Sequence, residues 1–233
     1  TSAVSGWQPS LLRCSAFALF SCALSVILTE ERLLQFQLRQ DKMAIHLPLT
    51  PARIGAFSTH TAHPDVLAKA KTFFNDALQT AFHIANPYVH KTKAEVTKIV
   101  WDKLLAAIPK TTSCWKTSRL VGEATHCGAC IPCIVRRIAI ESHGADPTIY
   151  ERNLFTETFA SLSDTDDGRR NLADFAEFVL RVEKFSDIEF MTEWPDLYSS
   201  QIARSDVIAM YRRACAKARK VLSKYSNLTP VLT

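Results

Sequence analysis

The sequence predicts an α/β protein with a helical C-terminal part. Short apolar runs alternate with amphipathic helical patterns up to about residue 110, four cysteines then fall between residues 114 and 133, and helical periodicity follows Tyr150. Alternating strands and helices are typical of α/β sheets. The chain has 233 residues, of which 47% are hydrophobic and 22% charged, so it can bury a core and has ordinary globular composition.

The first half begins with an apolar run over residues 14–28. As a helix this run would span about 22 Å, short of a ~30 Å hydrocarbon core, so a buried helix over 12–28 is favoured over a signal or membrane segment. Period-2 and period-3.6 patterns, with prolines as breakers, predict the elements that follow. They are a strand over 33–38, a loop over 44–53, a helix over 66–82, a strand over 83–85 and a helix over 93–107.

The second half is predicted to be helical around an irregular cysteine-rich segment, with helices over 133–143, 151–161, 169–184 and 204–224. The expected domains are therefore an α/β part over 1–110, a metal-binding segment over 111–150 and a helical region over 151–233. The net charge of +5 is mild, and we interpret the basic run of the last helix as a solvated face rather than a contact for nucleic acid or an acidic partner. This run comprises Arg212, Arg213, Lys217, Arg219, Lys220 and Lys224.

Four cysteines at metal-ligand spacing predict one structural zinc ion. Cys114-x12-Cys127-x2-Cys130-x2-Cys133 offers four thiolates, and a CxxC turn lets two sulfurs converge on a tetrahedral Zn²⁺. Four protein ligands leave no position for water, so the zinc is expected to be structural rather than hydrolytic. An iron–sulfur cluster, a disulfide pair, and His126 in place of one cysteine are the alternatives. Clustered cysteines favour a reducing compartment, and a cytoplasmic location is expected.

Glycine is scarce, with six residues in the chain, no two of them adjacent. Loops that wrap a phosphate need glycines so that backbone N–H groups can approach it. Neither GxGxxG nor GxxxxGK[ST] occurs in the sequence. A complete nucleotide-binding half is therefore difficult to place within these 233 residues.

Several segments occur together in a specific order: residues 86–96 (NPYVHKTKAEV), 111–115 (TTSCW), 126–137 (HCGACIPCIVRR) and 144–150 (GADPTIY). Together they resemble the 7-cyano-7-deazaguanine synthase family, the QueC-type enzymes of queuosine and archaeosine biosynthesis. Residues 47–64 (LPLTPARIGAFSTHTAHP) are most similar to a divergent branch found in bacterial antiphage defence operons. The resemblance covers roughly residues 11–224.

The resemblance implies a fold and a chemistry. The expected fold is an incomplete Rossmann-like sheet of the adenine nucleotide α-hydrolase type, followed by a zinc-binding and helical section. Family members use ATP to adenylate a carboxylate on a deazaguanine, which ammonia converts to an amide and, after a second activation, to a nitrile. Defence-associated relatives conjugate a deazapurine to a protein. The expected cofactors are structural Zn²⁺ and, in an active enzyme, ATP and Mg²⁺. The expected ligand is a deazapurine-type small molecule, and no membrane partner is expected. A homo-oligomer is left open.

The sequence departs from this family at its ATP-binding loop, SGGxDS. Residues 5–10 (SGWQPS) echo that loop but lack its aspartate. We therefore expect the substrate- and zinc-binding portion of an ATP-dependent C–N ligase, with the loop supplied by an upstream segment or a partner chain. The alternative is a catalytically inactive, zinc-stabilised scaffold or binding subunit.

The candidate substrate or nucleotide contacts lie on three segments, and no catalytic residue is assigned. A loop expected near the carboxyl ends of strands carries hydroxyls and a guanidinium, which suit a carboxylate, a phosphate or a purine edge. Its candidates are Arg53, Ser58, Thr59 and Thr61, with His63 as either a ligand contact or a helix-entry residue. Lys93 is either a phosphate contact at a helix N-terminus or a solvated lysine. Arg136 either binds an anion or caps the zinc lobe.

Overall fold

Helices dominate the part of the chain that the structure describes, and a small sheet precedes them. The computed structural model describes residues 24–28, 34–38, 63–79, 81–120, 122–195 and 201–232. The strands are β1 (Leu24–Leu28), β2 (Leu34–Leu38) and β3 (Phe82–Ala85). The helices are α1 (Pro64–Leu78), α2 (Lys93–Leu104), α3 (Ile131–Glu141), α4 (Asp167–Lys184), α5 (Asp187–Glu193) and α6 (Arg204–Leu222). No helix within these ranges is both long and apolar enough to cross a membrane.

The sheet contains three strands in the order β1-β2-β3 and mixes two kinds of pairing. β1 and β2 are antiparallel, with Leu24 opposite Leu38, whereas β2 and β3 are parallel, with Leu34 opposite Phe82. Parallel neighbours need a crossover connection, and α1 lies between β2 and β3 in the chain and packs against β3. The segment β2–α1–β3 is therefore a βαβ unit within a mostly helical molecule.

The prediction of a helix over 12–28 is wrong at its C-terminal end, because Leu24–Leu28 is the strand β1. A short apolar run does not distinguish a strand from a buried helix by periodicity, and the central Val26 and Ile27 are β-branched, which favours a strand. The strand predicted over 33–38 is confirmed as β2. Residues 12–23 and the loop predicted over 44–53 lie outside the described residues.

The helix predicted over 151–161 is also wrong. This segment forms turns and one short 3₁₀ helix, Phe159–Ser161, because the backbone of Glu151 donates a hydrogen bond to His126 O (2.8 Å). The adjacent side chains of Leu154 and Phe155 are both buried in the core. Tertiary contacts with the cysteine-rich segment therefore override the local helical pattern.

Helix α5 was not predicted, although the sequence carries its N-terminal signal. Ser186 and Glu189 form a capping box, in which the hydroxyl accepts from Glu189 N (3.3 Å) and the carboxylate accepts from Ser186 N (2.8 Å). Thr92 and Glu95 form the same motif at α2, where the predicted helix start is confirmed. The predicted helices over 133–143, 169–184 and 204–224 correspond to α3, α4 and α6.

The hydrophobic core lies where α3, α4, α5 and α6 meet. Trp194 is enclosed there, with its ring centroid 4.5 Å from that of Phe190 and 5.4 Å from that of Phe178. Burial of each such aromatic side chain contributes roughly 1.5–3 kcal/mol. Helix α3 directs Ile134 and Ile138 into this core, so its N-terminal cysteines are held on a rigid support.

Helix α6 does not present its basic run wholly to solvent. Arg212 pairs with Asp187 of α5 (2.8 Å), Arg213 with Glu95 of α2 (3.0 Å), and Arg219 with Glu183 of α4. These half-exposed pairs are individually worth at most about 1 kcal/mol. Their arrangement nevertheless directs much of the positive charge of α6 towards carboxylates on neighbouring helices.

Candidate metal centre

The four predicted cysteines converge at the N-terminus of α3. Cys130 is the N-cap residue of this helix and Cys133 lies in its first turn, while Cys114 and Cys127 approach from the preceding loop. All four side chains are buried, and their Sγ atoms lie within 4.8 Å of one another. The Sγ atom of Cys133 is 3.3 Å from that of Cys130 and 3.9 Å from that of Cys127.

These distances test the alternatives for the cysteines. A disulfide would bring two sulfurs to about 2.05 Å, and all four cysteines are free thiols in the structure. Four Zn–S bonds of ~2.3 Å in a tetrahedron separate the sulfurs by about 3.8 Å, which lies within the observed spread. The thiolate donor set thus fits one tetrahedral Zn²⁺ and leaves no coordination position for water. The four-cysteine group is therefore consistent with a structural zinc site.

The loop around Cys127 is shaped by Gly128, whose φ is +74°. This left-handed conformation turns the chain between Cys127 and Cys130 and favours glycine. A Cβ atom at this position would lie 1.9 Å from the carbonyl oxygen of Arg152. Backbone N–H groups of Lys116 and Cys127 donate to Cys114 Sγ at 3.3 and 3.4 Å.

The first thiolate of the cluster is expected at Cys130. Its pKa is lowered to about 5, chiefly by the hydrogen bond between its Sγ atom and that of Cys133 (3.3 Å). The same hydrogen bond, together with burial, raises the pKa of Cys133 well above its usual range. A bound cation would displace the remaining protons, since metal binding to thiols is coupled to their deprotonation.

His126 lies beside the cluster and both of its ring nitrogens have protein partners. Nε2 accepts from Ser113 N (3.3 Å), so the neutral ring carries its proton on Nδ1, which lies 2.8 Å from Thr125 Oγ1. Burial, assisted by the charge of Arg136, lowers the pKa of His126 to about 4 and keeps the ring neutral. His126 therefore acts as a buried support in this structure, and the four candidate ligand atoms are sulfurs.

The cysteine-rich loop is docked on the segment after α3. Thr125 N donates to Ile149 O (3.2 Å), and Asn171 of α4 donates to the carbonyl of Ala129 (2.9 Å). Arg152, whose carbonyl faces Gly128, donates to both Glu157 and Asp166. Sequence reasoning missed Arg152 and Asn171, because no local motif links Arg152 to Asp166, 14 positions away, or Asn171 to Ala129, 42 positions away.

A small cleft of ≈ 180 Å³ opens next to this segment. It is smaller than the roughly 300–1,000 Å³ of ordinary ligand pockets. Its polar groups already bind one another: Arg137 donates to Glu141 (2.6 Å), and the Tyr150 hydroxyl donates to Asp146 (2.7 Å). Arg137 also lies over the Phe155 ring, 4.5 Å from its centroid. The polar groups that line the cleft are therefore hydrogen-bonded to one another, and the cleft is not by itself a ligand site.

The structure places the other predicted site residues in three settings. Arg53, Ser58, Thr59 and Thr61 lie outside the described residues. His63 is the N-cap residue of α1, with its Nδ1 accepting from Asp65 N (3.2 Å), and Lys93 is the first residue of α2. Arg136 is buried in α3 and donates to protein oxygens of the surrounding loops.

Residues 53–144 match the model of a protein family described as Queuosine biosynthesis protein QueC. This span includes all four cysteines and helix α2, so it is this part of the chain that is similar to the QueC family.

A curated 7-cyano-7-deazaguanine synthase from Brucella anthropi is 35% identical over 103 residues. The match covers 40% of this chain and 40% of that relative, so the chain spans about two fifths of the relative's length. No solved structure matches the chain.

Proposed function

We propose that this chain is the substrate- and zinc-binding portion of an ATP-dependent synthase that acts on a 7-deazaguanine. The observation that carries the proposal is the family match over residues 53–144, which includes the buried four-cysteine group. The curated relative is named for the synthesis of 7-cyano-7-deazaguanine. The proposed chemistry is adenylation of a carboxylate on the deazaguanine, followed by amide and nitrile formation or by conjugation.

The topology of the small sheet supports a ligand site at one edge. β2 and β3 are parallel, so their carboxyl ends share an edge of the sheet, where open α/β sheets bind ligands. The chain that leaves β2 leads to Arg53, Ser58, Thr59 and Thr61, and the chain that leaves β3 leads to Lys93. We propose that this edge belongs to a larger Rossmann-like sheet and binds the deazapurine.

Lys93 is proposed as the phosphate contact of this site. It is the first residue of α2, where the helix dipole favours an anion. Glu95 is held back by the capping box and Arg213, so its negative charge is compensated. The SGGxDS loop that completes ATP binding in the family would come from an upstream segment or a partner chain.

Zinc has a structural role in this proposal. When bound, it would hold Cys114 and Cys127 against the N-terminus of α3. The chain's own residues then fix the position of α2 relative to α3, since His143 of α3's C-terminal turn lies 2.8 Å from the carbonyl of Ala94. The four-cysteine group and the N-terminus of α2 would thereby be held in a fixed relative position.

Calorimetric titration tests the proposal on the purified chain, with zinc quantified on the same sample. We expect binding of 7-cyano-7-deazaguanine, and of its 7-carboxy counterpart, in the micromolar range. Lys93→Ala is expected to weaken binding of ATP with Mg²⁺ in the presence of a chain that supplies the missing loop. Lys98→Ala is the matched control, because Lys98 lies on the same helix and its exposed side chain pairs with Asp102 (2.9 Å).

A chain with one zinc that binds neither deazaguanine would contradict the enzyme proposal. That result would support the second candidate, a zinc-stabilised scaffold or binding subunit. Equal effects of Lys93→Ala and Lys98→Ala on ATP binding would show that Lys93 is not the phosphate contact. The proposal that the chain binds a deazaguanine would not be affected by that result.

A further inference from the structure

Arg136 is a buried cation held by neutral acceptors. Its side chain belongs to α3 and the residue is 5% exposed. Nη1 donates to Thr111 Oγ1 (2.7 Å), and Nη2 donates to Ile108 O (2.6 Å) and to Thr148 Oγ1 (3.2 Å). Nε is buried and has no hydrogen-bond partner in the structure. Within the described ranges, Arg136 forms no ion pair with a carboxylate.

This arrangement leaves a charge to be balanced. A guanidinium does not lose its proton in proteins, so Arg136 cannot become neutral as a buried lysine or histidine would. A buried charge without a compensating partner opposes folding. Asp146, in the same loop as Thr148, accepts from Tyr150 OH (2.7 Å) and Thr148 N (2.9 Å) instead of pairing with Arg136.

The four-cysteine group supplies the compensating charge once it holds a divalent ion. Four thiolates and one Zn²⁺ carry a net charge of −2, which is itself buried with the cysteines. Arg136 follows Cys133 by three residues on α3, so the two side chains lie on the same side of the helix. Its hydrogen bonds to Thr111 and Ile108 also contact the segment that leads directly to Cys114.

We propose that Arg136 is the counter-charge of the metal centre. Its guanidinium balances part of the negative charge of the tetrathiolate–zinc group. This inference concerns the metal centre alone and holds whether or not the chain acts on a deazaguanine. It differs from a substrate contact, because the guanidinium is enclosed by protein oxygens.

Zinc affinity of the full chain, measured by competition with a chromophoric chelator, tests the inference. Arg136→Gln removes the charge and is expected to weaken zinc binding about 10–100-fold, as for other residues that support metal ligands. Arg136→Lys keeps the charge but not the three-way hydrogen bonding, and zinc affinity should stay within about 3-fold of wild type. Thr111→Val removes one hydrogen bond and keeps the charge, so it should also bind zinc normally.

Arg137→Gln is the matched control, because Arg137 is the next residue on α3 and its charge is already balanced by Glu141 (2.6 Å). It should lower the unfolding midpoint without changing zinc affinity. The inference is overturned if Arg136→Gln binds zinc as tightly as Arg137→Gln, or if Arg136→Lys loses as much affinity as Arg136→Gln. Should Arg136→Gln not fold, a large loss of zinc affinity in Thr111→Val or Arg136→Lys would overturn it equally.

Discussion

Substitution of Gly128 by alanine is the sharpest perturbation of the metal centre that the structure offers. Gly128 lies between Cys127 and Cys130 with φ at +74°, and the position of its missing Cβ is 1.9 Å from Arg152 O. The oxygen belongs to the backbone, so no side-chain rotation can relieve the contact. A second glycine, Gly122, has φ at +78° but nothing within 4 Å of its missing Cβ.

Comparing the stability losses of Gly122→Ala and Gly128→Ala separates the cost of a left-handed backbone conformation from the cost of a steric clash. An alanine in the left-handed region costs roughly 1–2 kcal/mol, and this is the whole expected effect of Gly122→Ala. In Gly128→Ala the Cβ and the Arg152 carbonyl must also move apart by more than about 1 Å to reach normal contact. That movement breaks the hydrogen bond from Glu151 N to His126 O, and each lost bond costs about 1 kcal/mol. The total expected for Gly128→Ala is about 2–3 kcal/mol.

Urea unfolding of the zinc-loaded chain at neutral pH measures both costs, and zinc per chain is quantified on each sample. Gly128→Ala should lower the free energy of unfolding by about 1 kcal/mol more than Gly122→Ala and should retain less zinc. Equal free energies of unfolding and equal zinc contents of the two variants would refute the reasoning, since the contact with Arg152 would then not affect stability.

Two further predictions concern the ligands and the helix start beside them. Cys133→Ala should reduce zinc from about one per chain to near zero by elemental analysis, whereas Cys215→Ala, outside the cluster, should leave zinc content unchanged. Asp166, the N-cap residue of α4, has its pKa lowered below 3.8 mainly by the hydrogen bond from Arg152, so its charge stabilises the fold above that ordinary value. Its contribution disappears as the pH falls through the lowered folded-state pKa, so the stability difference between wild type and Asp166→Asn should narrow between about pH 6 and about pH 3 in urea unfolding. A constant difference over this range would assign the effect to packing instead of charge.

Local sequence patterns were sufficient for the helices whose apolar periodicity and caps agree. The start of α2 follows from Thr92 and Glu95, and α4 and α6 follow from long amphipathic stretches. These features depend on residues three or four positions apart, which the sequence displays directly. Helix α5 carried the same kind of signal at Ser186 and could have been predicted.

Predictions failed where a distant segment decides the backbone conformation. The run over 151–161 has helical spacing, but residues 149–151 pair with 125–126 and Arg152 O approaches Gly128. Strand β1 depends on pairing with β2, which a short apolar run does not reveal.

The sequence by itself identified the candidate metal ligands, because Cys114, Cys127, Cys130 and Cys133 share a spacing that few other functions require. Only the tertiary structure decided what surrounds them. It placed His126 as a support with both nitrogens occupied, and it enclosed Arg136 among neutral oxygens rather than at a surface. The physical reason is that ligand identity is encoded in spacing along the chain. The charge balance and close backbone contacts around a site depend on which remote segments the fold brings against it.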